Sequence, residues 1–99
     1  MTTVWRENGF TIFIWSNEND EPIHFHITKG KKTKNCPKFW LTSSGVIIPD
    51  ENNRYSSSYR RYRRYEIMKI ISLTYDFDFK SKLINTWQNM FGRVVYKNI

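Results

Sequence analysis

Ninety-nine residues predict one domain and leave no room for a second. An apolar fraction of 39%, with 17% of the chain aromatic, excludes wholesale disorder, because each enclosed ring removes roughly 150–250 Å² from water. One cysteine excludes an internal disulfide, and a net charge of +7 points to an anionic partner or, failing that, a solubilising surface.

In chain order, Met1–Glu7 carries charge where a secretory signal would be apolar. No apolar run approaches the roughly 18 residues of a membrane span, so cytoplasm is the expected compartment. After Asn8-Gly9, Phe10–Trp15 is a β-branched and aromatic run that reads as a strand. Ser16–Pro22 is a polar turn. Ile23–Thr28 follows with strict period two, placing Ile23, Phe25 and Ile27 on one face and His24 and His26 on the other. Lys29–Asn35 is a basic loop, Lys38–Thr42 a third strand, and Val46–Ile48 a fourth beyond the turn at Gly45. The period then changes. Ile67, Ile70, Ile71 and Thr74 form one helical stripe, and Phe79, Leu83, Trp87, Met90 and Phe91 a second, with Asp78 as candidate N-cap and Gly92 past the end. The expected fold is α+β: an antiparallel meander of three to four strands with two C-terminal helices packed on one face. Residues 1–50 are β-rich, 51–66 a basic Arg/Tyr segment, 67–92 helical and 93–99 a tail.

A resemblance is carried by Gly9-Phe10, Ile12-Phe13 and Trp15-Ser16-Asn17-Glu18, then by Glu21-Pro22-x-His24-x-His26-Ile27, Lys38–Leu41 and Trp87-x-x-x-Phe91-Gly92. On these residues the chain resembles a small bacterial family catalogued as domain of unknown function 4160. The resemblance implies no defined activity. It does imply an association with toxin–antitoxin loci and other mobile-element cargo. The chain departs from the family pattern at Arg54–Glu66, where an Arg/Tyr block stands.

His24 and His26, two apart on a strand, point to one side with Cα atoms roughly 6–7 Å apart. Cys36 follows at the start of the next strand, so His24, His26 and Cys36 form a candidate zinc-ligand set with Asp20, Glu21, Asp50 or water as the fourth. A structural zinc ion is expected. The alternative is a pair that faces solvent, or hydrogen-bonds locally on a strand surface, with Cys36 a small buried hydrophobe. The same two imidazoles suit acid–base cleavage of RNA, with Lys29 or Lys38 stabilising the developing charge. No P-loop, nucleophile elbow, zincin helix or carboxylate cluster accompanies them.

The charge is concentrated in the second half, +6 over residues 51–99 against +1 over residues 1–50. Arg54–Tyr65 holds five Arg and four Tyr in twelve residues. Arg forks match phosphate and Tyr rings stack on unpaired bases, although both also dominate protein–protein hot spots. Arg54, Tyr59, Arg60, Arg61, Tyr62, Arg63 and Arg64 are the candidate partner-binding residues, joined by Lys31, Lys32 and Lys34 of the basic loop. The expected function is a small non-enzymatic binding protein of a mobile element or phage. It would engage nucleic acid or a nucleoprotein complex, an anti-CRISPR-type inhibitor being one version. The alternative is a ribonuclease toxin of a toxin–antitoxin pair using His24 and His26.

Overall fold

The structure, a computed structural model, describes residues 1–18, 20–32 and 36–98. Lys34 of the expected basic face lies outside them. Five strands form one antiparallel meander in sequence order: β1 (Thr2–Glu7), β2 (Phe10–Ile14), β3 (His24–Thr28), β4 (Lys38–Leu41) and β5 (Ile47–Pro49). The expected α+β meander is present, with one strand more than the sequence suggested.

The added strand is β1, and it is made by Asn8 and Gly9. Glu7 pairs with Phe10, leaving a two-residue loop whose φ values are 48° at Asn8 and 84° at Gly9. Positive φ at both positions is the requirement of a type I′ hairpin, whose twist matches that of its strands. The pairing register shifts between Thr3 and Trp5. That irregularity lets consecutive Val4 and Trp5 both meet the core and hides the strand's alternation.

A 3-10 turn at Glu51–Tyr55 and a one-turn helix α1 (Ser57–Arg60) lead into α2 (Arg64–Ile71). A second 3-10 turn, Ser72–Tyr75, precedes α3 (Phe77–Phe91). The α3 N-cap is Asp76, not Asp78: its Oδ1 accepts from the Phe79 backbone N–H at 2.9 Å. Gly92 ends the helix at φ 77°. Ile67, Ile70, Leu73, Phe79, Leu83 and Trp87 bury their side chains against Ile12, Phe25, Phe39, Leu41 and Ile47 of the sheet. Phe79 sits at the centre, edge-on to Phe25 (5.3 Å between centroids) and Trp5 (5.7 Å), while Phe25 stacks on its cross-strand neighbour Phe39.

The opposite face of the sheet is buried as well. Phe13, His24, His26 and Trp40 on that side are at most 7% exposed, so the solvent-facing histidine pair allowed by the period-two pattern does not occur. The cover is loop and tail rather than a second layer of helices. Glu18 and Cys36 lie over the histidines, and the Lys97 ammonium stands 4.6 Å from the Trp40 ring centre. The C-terminal segment is tied down through Ile23 N–H to the Val95 carbonyl and Lys97 N–H to the Leu41 carbonyl. Among the described residues, no helix is long and apolar enough to cross a membrane.

The hairpin turn yields a direct test. Gly9→Ala places a Cβ in the left-handed region and should destabilise the fold by about 1–2 kcal/mol, read from urea unfolding midpoints at constant m. Gly30, with no positive φ and nothing within 4 Å of an added Cβ, should tolerate the same change with little effect.

Candidate metal centre and arginine face

β3 delivers His24 and His26 to one side of the sheet, and the preceding loop brings Glu18 over both. His26 Nε2 lies 2.9 Å from one carboxylate oxygen of Glu18, and His24 Nε2 lies 3.0 Å from the other. The opposite nitrogens are anchored to main chain: Nδ1 of His24 is 2.8 Å from the Pro22 carbonyl, and Nδ1 of His26 is 3.2 Å from the Cys36 carbonyl. A carbonyl can only accept, so each Nδ1 carries the hydrogen. Each neutral ring then turns a bare Nε2 lone pair toward a carboxylate. That arrangement is repulsive unless a proton or a metal ion lies between.

The conflict is sharpest at His24. Its ring is fully buried, and although its Nε2 is near Glu18 it lies off the direction a hydrogen bond requires and has no hydrogen-bond partner. In the metal-free state that a proton on each Nε2 would relieve, burial pushes the Glu18 carboxyl up, but hydrogen bonds and positive charge from the protonated His24 and His26 outweigh it and hold the group well below the ordinary carboxylate range. Aromatic rings wall the cluster. Phe13 stacks on His26 at 5.6 Å, while Trp40 and Trp87 stand edge-on to His24 at 5.2 and 5.1 Å.

One ligand atom from each of Glu18, His24 and His26 lies within 4.8 Å of the other two, a grouping that could hold a metal ion. Nδ1–H groups fixed by carbonyls are the usual outer support of metal-binding imidazoles. Cys36 is buried and beside the pair, yet it meets His26 through its carbonyl, and its sulfur is not in the converging group. The other proposed ligands are engaged elsewhere or exposed. Asp50 accepts from Trp40 Nε1 at 3.1 Å, Glu21 pairs with Lys38, and Asp20 is exposed. The sequence shows Glu18 in the polar turn and in the Trp15-Ser16-Asn17-Glu18 string that carries the family resemblance, not as a ligand. Its place in one string with His24 and His26 is the signal that could have found it.

Beside the cluster, Glu18 and His26 border a cleft of about 370 Å³ that Lys38, Asp50, Asn52, Asn53 and Tyr55 also line. Asn53, 6% exposed, holds this lining to β4: its amide donates to the Lys38 carbonyl at 2.8 Å and accepts from the Lys38 N–H at 3.0 Å.

A family model described as Domain of unknown function (DUF4160) matches residues 9–88. The chain belongs to that family. Searches of the curated proteins and of the solved structures returned no match. The matched span contains the whole Glu18–His24–His26 cluster.

In this DUF4160 chain the Arg/Tyr segment divides by direction. Arg54, Arg60, Arg61, Arg63 and Arg64 are exposed, and among the described residues none is paired with a carboxylate. Tyr59 and Tyr62 turn inward against the core, Tyr62 packing on Phe10 at 5.3 Å. The outward rings are instead Tyr55, with the Arg54 guanidinium 4.8 Å above it, and Tyr65, 56% exposed. Glu66 anchors the segment: it accepts from the Arg63 backbone N–H at 2.9 Å and pairs with the Lys29 ammonium. Lys29 and Lys38, the lysines considered for charge stabilisation, are thus each paired with a glutamate. Lys31 is exposed. Lys32 lies over Phe13 at 5.3 Å and reaches the Thr3 hydroxyl.

Burial first, and Cys36 second, push the Tyr62 phenol above its ordinary value of 10.0. A raised folded-state value means that the contribution is intact below about pH 10 and is lost as pH climbs through the folded value. Stability should therefore fall in alkali, and Tyr62→Phe should blunt that fall while leaving neutral-pH stability near wild type. Urea midpoints at neutral and alkaline pH measure both.

Proposed function

We propose that this chain is a non-enzymatic nucleic-acid-binding module that grips the phosphate backbone through Arg54, Arg60, Arg61, Arg63 and Arg64. The observation that carries this reading is that all five arginines are exposed and, among the described residues, without carboxylate partners, while Tyr59 and Tyr62 turn inward as anchors. Guanidinium forks match phosphate oxygens bidentately. Tyr55 and Tyr65 add outward rings on which unpaired bases stack. A module of this size and charge suits mobile-element or phage cargo acting on a nucleoprotein complex, an anti-CRISPR-type inhibitor included. The ribonuclease alternative draws no support from the geometry, because His24 is fully buried and the Nε2 atoms of both histidines face Glu18.

Replacing Arg60, Arg61, Arg63 and Arg64 together with Ala should weaken binding to a single-stranded RNA oligonucleotide at least tenfold, measured by fluorescence anisotropy. The circular dichroism spectrum should not change, because exposed charges add little stability. For the wild type, log K should fall with log salt by about 0.7 per phosphate neutralised. A flat salt response would sink the reading.

We further read the ion at Glu18, His24 and His26 as structural Zn2+, since two imidazoles and a carboxylate suit zinc. Its binding energy adds to folding free energy. Protein never exposed to chelator should carry one zinc per chain, and chelator should lower the melting temperature. Glu18→Gln should reproduce that loss, and Cys36→Ser should leave zinc content unchanged. Elemental analysis finding well under one ion per chain refutes the site.

A further inference from the structure

Resting on the zinc reading above, we infer that the ion at Glu18, His24 and His26 keeps an open coordination position, that this position faces the cleft beside β4, and that it takes a phosphate group. Such an ion ties loop to strand and so stabilises the fold without being of the closed four-ligand kind, because three protein ligands leave a position for water or an exogenous group. Three donors converge here. The acidic side chains nearest in sequence do not supply a fourth: Asp50 is held by the Trp40 indole and Glu21 by Lys38.

The direction of the open position follows from how unevenly the ligands are enclosed. His24 is walled by Trp40 and Trp87 and is fully buried. Glu18 is the exposed member, its side chain 17% accessible, and with His26 it forms one wall of the cleft of about 370 Å³. That volume exceeds the roughly 30 Å³ of one water many times over, leaving space for a phosphate. Lys38, Asp50, Asn52 and Tyr55 also line the cleft, with the Lys38 ammonium paired to Glu21 and Asp50 held by the Trp40 indole. The charge that favours an oxyanion there is that of the ion itself, since a divalent ion with two neutral imidazoles and one carboxylate keeps a net positive charge. Tyr55 also carries Arg54 of the arginine face on its ring. The phosphate could therefore be free in solution or be the terminal phosphate of a strand bound along that face.

Cobalt(II) in place of zinc reports its own coordination sphere through visible absorption. The full-length protein loaded with one equivalent of cobalt(II) should show intense ligand-field bands that shift saturably on adding inorganic phosphate. Asn52→Trp, which fills the cleft without touching a ligand, should take up cobalt(II) equally and need at least tenfold more phosphate for the same shift. A 5′-phosphorylated oligonucleotide acting at lower concentration than inorganic phosphate, with its unphosphorylated twin inert, identifies the strand end as the source. Equal potency of the two phosphates identifies the free ion. Intense bands that ignore phosphate overturn the open position and leave the zinc reading standing, and an unchanged phosphate response in Asn52→Trp overturns the cleft as its entrance. Failure to take up cobalt(II) or zinc overturns the zinc reading and this inference with it.

Discussion

One carboxylate shared between two buried imidazoles is the constraint on which this structure turns. His24 and His26 occupy interior positions of β3 that would suit apolar side chains. Each ring nitrogen left unpaired there would cost roughly 1–3 kcal/mol. The Nδ1 atoms are satisfied locally, by carbonyls of Pro22 and Cys36. Among the described residues, the Nε2 atoms face Glu18 alone. The loop that carries Glu18 is therefore pinned over the two histidines.

That arrangement lets a short chain bury both faces of a sheet with a single layer of helices. α2 and α3 supply an aliphatic and aromatic core on one side. On the other side, loops, lysine stems and the C-terminal segment do the covering. Lysines that would ordinarily be solvated surface lie across aromatic faces instead, Lys38 and Lys97 both over Trp40. There is no second helical layer to expel water from the polar cluster, and Phe13, Trp40 and Trp87 take that role.

Much of the fold was legible in the sequence and part of the site was not, for reasons that can be named. Period-two alternation marks β2 and β3, short apolar runs bounded by turn residues mark β4 and β5, and the two helical stripes mark α2 and α3. β1 escaped because the register shift between Thr3 and Trp5 breaks its period, and because Asn8-Gly9 was taken as a strand start instead of a hairpin turn. The alternation of Ile23–Thr28 sorted its faces correctly. It could not show that the polar face would be roofed, since roofing is a property of loops with no periodicity. Spacing placed Cys36 beside the histidines, and the structure does bring it there, but through its carbonyl. Composition identified the Arg/Tyr segment, while the division into outward Arg and inward Tyr59 and Tyr62 depends on how α1 lies against Phe10, which no local pattern encodes.

The inward tyrosines and Glu66 carry a consequence for the surface above them. What fastens residues 54–66 to the body of the protein is a pair of rings in the core and one carboxylate that meets backbone and Lys29. None of these anchors uses a guanidinium group. The arginine heads can be exchanged, added or removed with little effect on the mount beneath them. The charge pattern of the segment is therefore separable from the packing that holds it in place.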